Sequence, residues 1–435
     1  MTQFPASRRL PAGPDQPFDI NPDDESFALI ERLFAHFGDI CKLEPRARKV
    51  PAYIIHHPDY IKHVLADRNQ NYIKGVGFER VKMLLGNGII VSGGDYWRSQ
   101  RRMIQPAFHR AVIAQLSTTM RVLNQRLLAR WEAKAATGEL INVTSDTSEL
   151  ALETVLRAIL SDDLDAIIAR AGGNPFSILS EDSVRDLQLA FKFRALTRQV
   201  IEVAALRRAG EHRPPDILSV LIDARDANGN PMSDKALVDE VMTLIVAGHE
   251  TTASTLNWAW YLLSANQAAE AELHAEIDGA PFNDILGFDN LQRLVFTKQI
   301  IDETLRLYPP VWLFSRKALA EDDIGGYYVA PGTDIFMAPY FVHRHPQFWD
   351  EPEVFRPERF APDAGRQRHK YVYFPFSMGQ RRCIGEFFAV VEMQIHLSAV
   401  AKRLRLRHVP DRPVELEPHI NLRSRHNLFM RAEPR

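Results

Sequence analysis

Phe376-Ser377-Met378-Gly379-Gln380-Arg381-Arg382-Cys383-Ile384-Gly385 is the stretch on which the reading of this chain turns. A cysteine on its own is most often a small buried hydrophobe. This one is flanked by Gly379 and Gly385, which permit tight or positive-φ backbone beside the sulfur. The sequence that follows has helical character from about Gly385 to Leu404, so helix N-terminal amides are expected to point at the sulfur. Arg381 adds a cation two residues away. Both effects lower a thiol pKa and favour the thiolate.

Upstream, residues 339 to 380 are rich in Pro, aromatic residues and Arg, with little periodicity. About 40 irregular residues inside a globular chain are normally functional. Pro309-Pro310 stop a helix that the pattern places from about Leu291 to Leu307. Strand-like sequence then follows, punctuated by Gly325-Gly326 and Pro331-Gly332. Further upstream, Ser233 is a good N-cap for a helix reaching about Ala265, roughly 50 Å long at 1.5 Å per residue. Residues 95 to 210 read as mostly helical. Residues 50 to 65, with Tyr53-Ile54-Ile55, read as a short hairpin region and a helix. Residues 1 to 25, rich in Pro and Asp, read as an extended arm. The expected architecture is mainly α with small β-sheets, in one domain over residues 26 to 435.

Bulk properties narrow the class. The 435 residues are 46% apolar and 25% charged, enough for a large core. A net charge of −2 does not mark a nucleic-acid binder. The two cysteines, Cys41 and Cys383, are far apart, so a disulfide framework is not expected and a reducing cytoplasm fits. The N-terminus has no apolar core of a signal peptide, and no run approaches the roughly 18 apolar residues of a membrane span.

Four other patterns carry chemistry. Ala247-Gly248-His249-Glu250-Thr251-Thr252 puts a glycine, an acid and two β-branched hydroxyl residues inside the long helix, where they are poor helix formers. That composition suits a local widening. Glu303 and Arg306 are three apart on one helix face, with Pro357-Glu358-Arg359-Phe360 downstream. Trp97 and Arg101 are four apart, again on one face. Val311-Trp312-Leu313-Phe314 is bulky and apolar, which suits either an apolar ligand or plain core packing.

The pattern F-x-x-G-x-R-x-C-x-G, matched at all five fixed positions, resembles the heme-binding loop of the cytochrome P450 family. The other motifs occur in that family's order, and the resemblance runs from about residue 50 to the end. It implies the cytochrome P450 fold, with heme b (iron protoporphyrin IX) between the long I-type helix and the cysteine loop. It implies Cys383 as the thiolate ligand of the iron, which pushes electron density toward bound oxygen. Phe376, Gly379 and Gly385 then shape the loop. Trp97, Arg101, Arg316 and Arg381 meet the heme propionates. Thr251 bonds the bound dioxygen and Glu250 helps deliver protons. Glu303, Arg306 and Arg359 form a buried network that locks the irregular segment. Leu244, Val246, Ala247, Val311, Trp312, Leu313, Phe314 and Phe429 are candidates for the substrate pocket. His109, His343 and His345 are taken as ordinary polar residues.

The activity implied is a monooxygenase that hydroxylates or epoxidises a largely apolar small molecule. The same oxidant could serve oxidative coupling, desaturation or ring formation, which the motifs do not separate. A heme protein that only binds a gas has no need of the Glu250-Thr251 pair. Because 52 residues follow Cys383, electrons are expected from a separate ferredoxin or flavodoxin with its reductase, and Arg98, Arg102 and Arg382 suit an acidic donor. A monomer is expected. Only about 47 residues separate Leu160 from Arg207-Arg208, and Gly172-Gly173-Asn174-Pro175 and a helix near Asp186 to Leu206 must serve as the lid. A shortened lid would suit a long, bulky or carrier-presented substrate.

Overall fold

A computed structural model describes residues 8–46, 48, 50–180, 189–210, 213–281, 284–364 and 368–435. The chain divides into two compact units. One comprises Met1–Glu79, Asp302–Cys383 and Glu415–Arg425. The other comprises Arg80–Ile301, Ile384–Val414 and His426–Arg435.

The first unit is organised by a five-stranded sheet. Its spatial order is Ile40–Leu43, Ala52–Ile55, Asp334–Met337, Phe314–Ala318, Tyr72–Lys74. The second and third strands run parallel and the other pairs antiparallel. Alternation along each strand divides the side chains between two cores. Ile40, Tyr53, Ile55, Ile335 and Met337 join Ile61, Leu65 and Phe374 in one core. Cys41, Leu43, Ala52, Ile54 and Phe336 join Ile30, Leu33, Trp312 and Phe341 in the other. The sheet is therefore covered on both faces. Helix Asp24–Phe37 is capped by Asp23, whose carboxylate accepts the Ser26 amide at 2.8 Å. The described part of the arm is tied to the first strand: Lys42 donates its backbone N–H to Ala12 at 2.9 Å. The hairpin expected near residue 50 is present, with Ala52–Ile55 against Ile40–Leu43 and helix Pro58–Lys62 after it. Among the described residues of 339 to 380 there are only short helical turns, such as Pro339–Val342 and Pro357–Phe360.

The second unit is helical. Its longest helix, Asp234–Ala265, starts where the sequence places it, with the Ser233 hydroxyl accepting the Ala236 amide at 3.2 Å. It packs on helix Val143–Leu160. Gly248 permits that approach, since a Cβ there would stand 3.0 Å from the Val155 side chain. Helix Glu386–Ala401 is buried along most of its length. Its His396 takes the Trp260 indole N–H at 2.9 Å and pairs with Asn124 at 2.8 Å. A small sheet of Leu140–Asn142, Phe429–Pro434 and Leu404–His408 completes the unit. No helix among the described residues is long and apolar enough to cross a membrane.

Two expected boundaries move. The helix expected from Leu291 begins at Val295, after a separate turn at Phe288–Leu291. Its start is capped from a distance: the Glu276 carboxylate accepts the amides of Phe296 at 2.6 Å and Thr297 at 2.8 Å. The last helix stops at Ala401 because Leu404 already belongs to a strand. In the lid segment, helix Asp163–Ala171 and the turn Pro175–Leu179 precede helix Leu189–Ala209, and the expected start at Asp186 lies outside the described residues.

Candidate active site

In the first unit the cysteine loop is closed on itself. Cys383 donates its backbone N–H to the Phe376 carbonyl at 2.8 Å, and Ser377 donates to Phe374 at 2.9 Å. Gly379 adopts φ 70°, and a Cβ there would meet the Leu65 carbonyl oxygen at 2.0 Å. Only glycine fits both the torsion and the gap. Gly385 behaves differently: its φ is −89°, so left-handed freedom is not what it supplies. It occupies the N-cap position of helix Glu386–Ala401, and its carbonyl accepts the Ala389 amide at 2.9 Å. Of the two cysteines, Cys383 is exposed and Cys41 is fully buried. Burial pushes the Cys41 thiol up to about 12. Cys383 is therefore the sulfur available to a ligand.

The irregular segment before the loop is pinned by the expected ion cluster. Arg306 binds Glu303 through Nε and Nη2 at 2.7 and 2.8 Å. Arg359 adds Nε to the same carboxylate at 3.0 Å, and the Arg356 amide adds a fourth bond at 2.9 Å. The two guanidiniums also hold backbone carbonyls of His343, Asp350, Glu351, Pro352 and Val354. All three side chains are buried. The cluster thus supplies the polar partners that buried irregular backbone requires. His343 takes part too, accepting the Phe374 amide at 3.0 Å.

Arg316 is buried in strand Phe314–Ala318. Its Nη1 donates to the Ser315 carbonyl at 3.0 Å, and burial lowers its pKa to about 10. Arg381 is half-buried in the turn Gly379–Arg381. A residue missed in the sequence joins them: Lys74 pairs with Arg316 across the sheet. Burial, then Arg316 and Arg381, hold its ammonium well below the ordinary lysine range.

In the second unit, Thr251 donates its hydroxyl to the Ala247 carbonyl at 2.9 Å. The helix stays α-helical through residues 247 to 252, so the expected widening does not interrupt it. Glu250 is half-buried, and His249 turns to Ser148 at 3.2 Å. Between Glu240 and Trp260, the positions that are only half-buried are Val246, Ala247, Gly248, Glu250 and Thr251. Trp97 is buried in helix Gly94–Ile104. Arg101 lines a hollow of about 150 Å³ with Gln105, Phe108, His109 and Ile384.

The pocket candidates separate. Trp312 is fully buried, gives its indole N–H to the His419 carbonyl at 2.7 Å and packs on Phe27 with centroids 5.2 Å apart. It is a core residue, which corrects its expected place in a pocket. Val311 is exposed, while Leu313 and Phe314 are half-buried. In the other unit Leu244 is buried, and Phe429 lies under the Arg412 guanidinium at 4.1 Å.

A family model described as Cytochrome P450 matches residues 18–168 and 176–429. The chain belongs to the cytochrome P450 monooxygenase family. Cyclooctatin synthase of Streptomyces melanosporofaciens is 34% identical over 425 residues, covering 94% of this chain and 91% of that protein. Cyclooctat-9-en-7-ol 5-monooxygenase of the same organism is 32% identical over 400 residues, covering 88% and 85%. The crystal structure of the cytochrome P450DA heme domain has the same fold, with a TM-score of 0.86 at 22% identity over 98% of this chain and 96% of that one.

Membership in the cytochrome P450 family implies a heme-iron cofactor, and the residues present fit one. An exposed sulfur stands on a closed loop in the first unit. The same unit buries Arg316 without a carboxylate partner among the described residues. An iron ligand and a cation awaiting an anion are what an acidic porphyrin needs.

Proposed function

We propose that this cytochrome P450 inserts one oxygen atom from O2 into a C–H or C=C bond of an apolar, ring-containing small molecule. Its prosthetic group is heme b, which with a thiolate ligand supplies O2 activation when bound. Cys383 provides the sulfur, and Trp97, Arg101, Arg316 and Arg381 hold the propionates. The Glu303-Arg306-Arg359 network keeps the cysteine loop at its geometry. Residues 26–435 act as one catalytic domain. Electrons come from a separate ferredoxin or flavodoxin with its reductase, for which Arg102 and Arg382 are exposed cations.

The observation that carries this reading is the incomplete cover of the long helix at residues 246 to 251. An apolar rim of Val246 and Ala247 adjoins an acid and a hydroxyl there. Glu250 holds and passes a proton, and Thr251 orients it, as proton delivery requires. The name of the relative that oxidises cyclooctat-9-en-7-ol supports a cyclic alkenol as substrate.

The test is spectroscopic and then chemical. The reduced, CO-bound protein should give the strongly red-shifted Soret band of thiolate ligation. Cyclic alkenes and alkenols should shift the ferric spin state and yield products one oxygen heavier under 18O2. Thr251→Ala should lower product per electron consumed by roughly 10-fold or more, and Thr251→Ser should restore much of it. A normal band with full coupling in Thr251→Ala would sink the proton-delivery assignment.

A further inference from the structure

Lys74 stands directly opposite Arg316 where strands Tyr72–Lys74 and Phe314–Ala318 pair antiparallel. Side chains at paired positions share a face, so two cations stand side by side. That face carries Tyr53, Ile55, Ile335 and Met337, and no strand residue on it is acidic. The sheet's acid, Asp334, is in register with Lys317 on the opposite face. There it binds Arg48 and accepts the Val76 amide at 3.0 Å.

Like charges directly opposite one another are destabilising, and burial strengthens the repulsion. Nothing described in the chain neutralises it: no salt bridge among the described residues reaches either cation. The Lys74 ammonium lies 4.3 Å over the Phe78 ring, and the Arg316 guanidinium lies 5.1 Å from the Phe314 ring. The strand end cannot swing away at no cost. Val76 is held by Asp334, and the Ser315 hydroxyl bonds the Val76 carbonyl at 3.0 Å. A fixed pair of unneutralised cations is a preorganised anion site.

We propose that Lys74 and Arg316 together bind one carboxylate of the prosthetic group, so that Lys74 is a heme-holding residue in its own right. The inference rests on the reading that this chain carries an iron porphyrin on Cys383. A lone arginine gives a propionate a fork of donors, and the lysine adds a second full charge from the neighbouring strand.

The test uses full-length holoprotein and measures heme transfer to excess apomyoglobin. Two groups are compared, iron protoporphyrin IX and its dimethyl ester, in wild type, Lys74→Met and Lys74→Arg. Lys74→Met is expected to speed loss of the free acid roughly 10-fold, in line with losing one charge-assisted hydrogen bond. Lys74→Arg should stay near wild type. With the diester, wild type and Lys74→Met should agree within about 2-fold, because the carboxylate is gone. A Lys74→Met rate unchanged for the free acid overturns the proposal. So does an equal acceleration for acid and diester, which would mean packing alone. If Lys74→Met does not accumulate, Lys74→Gln makes the same comparison. Failure of the underlying reading is separately visible, since wild type would then lack the red-shifted CO band.

Discussion

Arg306 meets Glu303 through two parallel bonds of 2.7 and 2.8 Å, and neither side chain has measurable exposure. A buried pair of this kind is not a strong source of net stability, yet breaking it strands a charge. Glu303→Gln is expected to destabilise the fold by about 3–5 kcal/mol. Arg306→Lys should also destabilise it, because an ammonium cannot reproduce the fork or its carbonyl contacts. Urea unfolding of the holoprotein checks both. A loss under about 1 kcal/mol in each would show that the cluster is not what holds the segment.

Cys383 and Cys41 should behave as opposites. Cys383→Ser is expected to abolish the red-shifted CO band while the chain still folds. Cys41→Ala removes a fully buried sulfur and should cost about 1 kcal/mol with the band intact. Loss of the band in the Cys41 variant alone would reverse the ligand assignment.

Stability should fall through Glu392 as pH rises from the ordinary glutamate range to about 8. Its carboxyl is fully buried in helix Glu386–Ala401, and burial raises its pKa to about 8, with Thr154 opposing. An unfolded glutamate titrates near about 4.3. The folded chain therefore holds this proton more tightly. The stabilisation is complete below about pH 4.3 and is lost as pH rises through about 8. Glu392→Gln should flatten the decline of melting temperature across that window. An unchanged slope would show that the carboxyl is ionised in the fold.

Arg207 anchors the end of helix Leu189–Ala209. Its guanidinium reaches Asp163 and Asp216 at 2.7 Å each, the Leu160 carbonyl at 2.9 Å and Ser219 at 3.1 Å. Arg207→Ala leaves the fully buried Asp216 without its cation and should cost about 3–5 kcal/mol. Limited proteolysis between residues 160 and 216 should quicken correspondingly. A wild-type digestion pattern would argue that the contacts are dispensable.

Features written in local chemistry were legible. Ser233 announced the long helix because a cap acts on amides two or three residues away. Glu303 and Arg306 were legible as a pair because a helix fixes their spacing. Lys74 was not, because its meaning lies in its register with a residue more than two hundred positions later. The helix start at Val295 was misplaced for a similar reason, since its cap comes from Glu276. Trp312 was misread because an apolar run does not say which member faces the core. Gly385 was read as permitting tight or positive-φ backbone, and the fold uses it at an ordinary N-cap position with φ −89°.

The bond from Thr251 to Ala247 has a directional consequence. A hydroxyl owns a single hydrogen, and here the carbonyl one turn upstream already takes it. Toward any other visitor Thr251 shows lone pairs only. A water or an acid can approach by bringing its own hydrogen, whereas an acceptor must wait until the hydroxyl lets go of Ala247. The side chain is thus a polarised contact, and the helix backbone sets which way it faces.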